Sequence, residues 1–102
     1  MKKRKLGNTN IYLSALGFGG APIGNLFEKL DETTCHKTLE SCFNSNVNLY
    51  DTSPYYGNGL SEHRLGNFLK SKDSASYYLT TKVGRYLTPE KEEYINRGKW
   101  AG

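Results

Sequence analysis

Residues 31–50 specify a helix running directly into a strand, and that succession narrows the folds open to the chain. Asp31 is suited to cap a helix from about Glu32 to Asn44, because its short carboxylate can accept from the unpaired N–H groups of the first turn. Cys35, Leu39, Cys42 and Phe43 fall at i, i+4, i+7 and i+8, a single apolar face. Asn46 suits the left-handed residue that ends a helix, and residues 47–50 follow as a strand. The same two kinds of element recur on either side. Residues 15–18 form a continuous apolar run, as expected of a strand covered on both faces. Ser61 is placed to cap a second helix of about ten residues, with Glu62 favourable in its first turn. Leu65, Phe68 and Leu69 would be its buried side, and Arg64 and Lys70 its solvent side. Residues 77–81 are a β-rich third strand. Ahead of all these, residues 4–6 and 11–13 read as a short hairpin turned by Gly7-Asn8-Thr9-Asn10.

Asp51 closes the second of these strands and Lys82 follows the third, with Tyr55 and Tyr56 between them in sequence. A free phenol is a weak proton donor, with a pKa of about 10. A lysine ammonium nearby favours the phenolate and makes the proton easier to release, and a carboxylate keeps that ammonium charged and in place. Each residue also has a plainer reading. An Asp after a strand is often a turn residue, a Lys at a strand end often faces solvent, and the chain has eight tyrosines that could be half-buried aromatics. It is their joint occurrence that points to proton delivery. Gly19-Gly20-Ala21-Pro22 after the first strand could let the backbone approach a ligand closely or be only a tight strand exit. There is no G-x-G-x-x-G run, so a Rossmann domain is not supported.

The net charge of +4 is concentrated partly in Lys2-Lys3-Arg4-Lys5. Such a run can contact nucleic acid or membrane, but here it reads as the solvated first strand of the hairpin. The tyrosines are scattered rather than interleaved with cations, which argues against a nucleic-acid binder. No apolar run approaches the roughly 18 residues of a membrane span, and the start lacks the apolar region of a secretory signal. Cytoplasmic residence is expected. Cys35 and Cys42 would lie about 10.5 Å apart on a helix, beyond the roughly 7 Å a disulfide bridges, so they read as small apolar residues. His36 lies off their stripe and His63 on another element, so no metal site is expected.

Leu49-Tyr50-Asp51-Thr52-Ser53-Pro54-Tyr55-Tyr56-Gly57, Gly59-Leu60-Ser61-Glu62 and Thr81-Lys82-Val83-Gly84-Arg85 resemble the aldo-keto reductases, in the branch of aldose, fucose and pyridoxal dehydrogenases. Leu6-Gly7-Asn8-Thr9 and Leu16-Gly17-Phe18-Gly19-Gly20 fit the same pattern, so the resemblance covers nearly the whole chain. It implies an α/β fold, the amino-terminal portion of a TIM (β/α)8 barrel: a hairpin, about three strands and two helices. It implies NAD(P) as cofactor and hydride transfer with an aldehyde, a ketone or an aldose hydroxyl as the small-molecule partner. Carried over by motif, Tyr56 is the general acid, Lys82 lowers its pKa, and Asp51 pairs with Lys82 near the nicotinamide ribose. Tyr55 packs beside the substrate, and Gly20 and Ala21 border the cofactor. The family's catalytic histidine on the following strand has no counterpart, since His36 and His63 stand in other segments.

Such barrels typically need roughly 250 residues, and this chain has 102. Residues 1–102 are therefore expected to form one partial domain, from an interrupted reading frame, a pseudogene or one piece of a split gene. The alternative to an active reductase is a catalytically inactive fragment of one. From Arg85 onward, Pro89 and the charges of residues 90–93 suggest a solvated loop with at most one helical turn.

Overall fold

A computed structural model describes residues 1–87; the tail expected beyond Arg85 lies largely outside these residues. Strands β1 (Lys3–Lys5) and β2 (Tyr12–Ser14) form an antiparallel hairpin. It is displaced by one residue outward on each arm from the expected positions. The turn is wider than its sequence suggests, because Thr9 ties itself to Leu6 through its amide and its hydroxyl. The hairpin is tethered to the rest of the fold by the buried Asn48. Its Oδ1 accepts from the Ser14 amide at 2.7 Å and its Nδ2 donates to the Tyr12 carbonyl at 2.9 Å.

Three strands, β3 (Phe18–Gly19), β4 (Leu49–Asp51) and β5 (Tyr78–Thr80), form a parallel sheet in sequential order. Helices α1 (Glu32–Asn44) and α2 (Leu60–Leu69) make the two crossovers, the arrangement that parallel neighbours require. In register, Phe18, Tyr50 and Leu79 share one face, while Gly19, Asp51 and Thr80 share the other. The first face lies toward the helices. There Tyr50 is fully buried, 5.9 Å from the Phe18 ring, and its hydroxyl donates to the Val47 carbonyl. Burial pushes the Tyr50 phenol up to about 12, so it stays a neutral core residue. Leu39 from α1 and Leu65, Phe68 and Leu69 from α2 complete the cluster with Ile23 and Val47.

Helix α1 has the limits its sequence suggests. The Asp31 carboxylate accepts from the Thr34 amide at 2.7 Å, and the charge-assisted bond holds its carboxyl below the usual range. Asn46 takes the left-handed conformation at φ 67°. Cys35 is buried, Cys42 is half-buried, both are free thiols, and burial raises both.

Three expectations require correction. The first sheet strand is not residues 15–18 but Phe18–Gly19, and Leu16 is exposed. The Ala15 amide donates to the Lys2 carbonyl, so this stretch belongs to the passage out of the hairpin. Helix α2 starts at Leu60 with Gly59 at its cap, φ 93°, so Ser61 lies inside the first turn rather than capping it. Arg64 is not a solvent residue; it is buried. Its Nε bonds Glu32 at 2.7 Å, and its remaining nitrogens donate to the carbonyls of Ile23 and Leu30 and to Asn25 Oδ1. An Arg stem can cover apolar surface while its head finds acceptors. Here two of those acceptors are backbone carbonyls of the loop between β3 and α1, 41 and 34 residues away in sequence.

Candidate active site

The carboxyl ends of the three parallel strands converge on one rim, where barrels of this class carry their chemistry. Gly20 follows β3, Asp51 ends β4 and Lys82 comes two residues after β5. Lys82 Nζ lies 2.8 Å from Asp51 Oδ2 and donates to the Thr52 carbonyl at 2.9 Å. The other carboxylate oxygen of Asp51 accepts from the Thr80 hydroxyl at 2.7 Å. Partial burial opposes ionisation of Asp51, yet the Lys82 and Thr80 bonds prevail and hold its carboxyl below the ordinary range. The Asp51 bond holds the Lys82 ammonium above its ordinary range against desolvation, with the Tyr56 hydroxyl adding in the same direction.

Tyr56 reaches the same rim from the segment between β4 and α2, and Lys82 Nζ stands 5.0 Å from its ring centroid. Three contacts fix its backbone. Its amide donates to the Ser53 carbonyl, its carbonyl accepts from the Ser61 amide, and Gly24 packs against it. A Cβ at Gly24 would stand 2.5 Å from the Tyr56 carbonyl oxygen, so only glycine permits this approach. The three sequence-selected residues Asp51, Tyr56 and Lys82 are thus brought together. Beside them a cavity of about 290 Å3 is lined by residues 53–56, Lys82, Val83 and Arg85.

Gly20 is buried at the same rim. Its amide donates to the Asp51 carbonyl at 2.7 Å and its carbonyl accepts from the Ser61 hydroxyl at 2.7 Å. An added Cβ would meet Ser61 Oγ at 2.6 Å and the Asp51 carbonyl at 2.8 Å. Both backbone groups of Gly20 are therefore used within the chain, and the half-buried Ala21 is the next residue toward solvent. Sequence reasoning missed the residues that hold this rim. Ser61 Oγ also lies 2.7 Å from Thr52 Oγ1, and Glu62 accepts from the Thr81 hydroxyl at 2.8 Å. Two adjacent residues of α2 thereby fasten the ends of all three sheet strands. Their small hydroxyl and carboxylate groups fit a helix first turn equally well, so only the tertiary partners disclose the task. His36 and His63 are exposed on α1 and α2; His36 stands edge-on to Phe68 and His63 bonds Asn67. Among the described residues, no group of three or more His, Cys, Asp or Glu could hold a metal ion.

For a nicotinamide cofactor the rim offers an ionised, partly exposed carboxylate at Asp51, beside the half-buried Ala21, whose carbonyl already accepts from the Gly24 amide. The Asp51 carboxylate fits a ribose hydroxyl or a carboxamide N–H, which need an acceptor at a strand end.

Residues 15–101 match the family model described as Aldo/keto reductase family. Over 80 residues the chain is 44% identical to D-threo-aldose 1-dehydrogenase of a Pseudomonas species, covering 78% of this chain and 24% of that protein. Over 85 residues it is 44% identical to L-galactose dehydrogenase of Arabidopsis thaliana, covering 81% and 27%. The solved holo form of an aldo-keto reductase from Bacillus halodurans superimposes with a TM-score of 0.77 at 34% identity, covering 90% of this chain and 29% of that one. The chain spans about a quarter of the length of the curated relatives it matches. On this sequence match, and with a sheet that superimposes on the first strands of such barrels, the chain belongs to the aldo/keto reductase family.

Proposed function

We propose that this protein is part of an NAD(P)-dependent oxidoreductase acting on aldehydes, ketones or aldoses in the cytoplasm. The observation that carries the reading is the Lys82 ammonium, held between Asp51 and the Thr52 carbonyl and standing over the Tyr56 ring. The bound nicotinamide cofactor would exchange a hydride with the carbonyl carbon. Tyr56 gives its hydroxyl proton to the carbonyl oxygen as charge develops there, and takes it back in the oxidative direction. Lys82 stabilises the phenolate left behind, and Asp51 keeps Lys82 charged and aimed. Asp51 and Ala21 border the cofactor, with Gly20 setting the path of Ala21. The names of two curated relatives, both sugar dehydrogenases, favour a polyhydroxylated substrate, while a third, pyridoxal 4-dehydrogenase of Microbacterium luteolum, keeps aromatic aldehydes in the panel.

The test is the oxidation or reduction of nicotinamide cofactor, followed by absorbance, with a panel of aldoses and aldehydes. Turnover is expected of these residues within a complete barrel, and Lys82→Met there is expected to lower kcat by about a hundredfold or more. No turnover with any member of the panel, or an undiminished variant, would contradict the reading.

A second reading applies to the 102 residues by themselves. The exposed apolar side chains of Leu16, Leu79 and Val83 and the two outer strands of the sheet favour an inactive piece that needs further barrel structure around it.

A further inference from the structure

The wall of the cavity beside Tyr56 includes a charged group that the proton-delivery residues leave unused, Arg85. The Arg85 guanidinium lies on the Tyr55 ring, 4.3 Å from its centroid. Stacking fixes a guanidinium plane while keeping its in-plane N–H donors for an acceptor. Among the described residues the ion pairs join Arg64 to Glu32 and Lys82 to Asp51. Lys82 therefore brings its own counter-charge to the cavity wall, whereas Arg85 has none among the described residues. The Tyr55 hydroxyl is buried away from the cavity surface, so Tyr55 serves through the ring face that carries Arg85. Pro54 and Val83 add apolar surface to the same cavity wall.

We infer that Arg85, with Tyr55, forms a subsite for an anionic substituent, a carboxylate or a phosphate, on the carbonyl substrate whose oxygen Tyr56 protonates. The inference rests on the proposed reductase reading and narrows its substrate class. The planar fork of an arginine matches two oxygens of either anion. A neutral sugar or aldehyde leaves that charge unanswered. Arg85 is thus a specificity-determining residue, and its task is separate from proton transfer.

Within a complete barrel these residues are assayed with two matched pairs: succinic semialdehyde against butanal, and glyceraldehyde 3-phosphate against glyceraldehyde. In at least one pair the anionic member is expected to have the higher kcat/KM, by about tenfold or more. Arg85→Gln should lower kcat/KM for that member far more than for its neutral partner, and Arg85→Lys should keep part of the preference. The responding pair distinguishes carboxylate from phosphate. Equal kcat/KM within both pairs, or equal losses in Arg85→Gln, overturns the subsite. A second measurement does not depend on turnover: the Arg85 Nε–H resonance is followed during titration with inorganic phosphate and with acetate at constant ionic strength. A saturable shift with one of them is expected, and no shift with either overturns the subsite. A saturable shift in a protein that turns over no aldehyde keeps the subsite and removes the reductase reading.

Discussion

The Asp51–Lys82 pair ties the chemistry of the rim to pH. Asp51 sits below its ordinary value of 3.8, so its contribution is present above that value and is lost as pH falls through the lowered folded value. Lys82 sits above its ordinary value of 10.5, so its contribution is full below that value and is lost as pH rises through the raised folded value. The pair is therefore intact across the neutral range. Both side chains are almost half exposed, 47% for Lys82 and 42% for Asp51, so solvent screens the pair and its weight is in orientation rather than stability. Asp51→Asn removes the largest influence on Lys82, and the expected outcome is a lower Lys82 pKa. Competitive acylation of Lys82 against exposed lysines as a function of pH checks this, and an unmoved Lys82 titration would contradict it. The meeting of Asp51, Tyr56 and Lys82 at one rim was legible in the sequence because each stands in a short motif at or just after a strand end. Arg64 and Ser61 were not, because their work is done by acceptors up to 41 residues away that only the folded chain brings near.

Helix α2 is the element on which the rim depends. Its first turn holds Gly20, Thr52 and Thr81 through Ser61 and Glu62, and its second turn holds the loop between β3 and α1 through Arg64. That loop includes Gly24, which backs Tyr56. Arg64→Met would keep the stem but leave the Ile23 and Leu30 carbonyls without their donor. The expected cost is about 3 kcal/mol, read as a lower urea midpoint at unchanged m-value, with Arg64→Lys between. A shift in Arg64→Met no larger than in an exposed Lys70→Met control would contradict this. Gly20→Ala brings a methyl into Ser61 Oγ and the Asp51 carbonyl, so it is expected to lower stability by about 1–3 kcal/mol and to disturb Asp51. Element existence was readable from periodicity and capping, as α1 shows at both ends. The limits of β3 and the start of α2 were not. An apolar run does not reveal that its first half completes a hairpin, and the serine before an apolar stripe is indistinguishable from a cap until its buried partners are seen.

At the scale of the molecule, the described residues build a three-stranded parallel sheet covered by helices on one face, with β3 and β5 as outer strands. Leu79 on the helix side of β5 is half exposed, the place a further crossover helix occupies in a barrel. No helix among the described residues is long and apolar enough to cross a membrane. The 102-residue chain produced alone is expected to associate through these outer strands, as unpaired N–H and C=O rows do; light scattering after size exclusion checks this, and a monodisperse monomer at high concentration would contradict it. The barrel class was legible only through resemblance, since a sheet of this kind is closed by strands that no local pattern in these residues encodes. The most direct test of the account is the steady-state kinetics of Tyr56→Phe in the active protein, with nicotinamide cofactor and a carbonyl substrate. The account expects kcat to fall by about a hundredfold to ten-thousandfold with KM little changed, because the phenylalanine keeps the packing and loses only the proton. A variant that retains half or more of the wild-type kcat would contradict it.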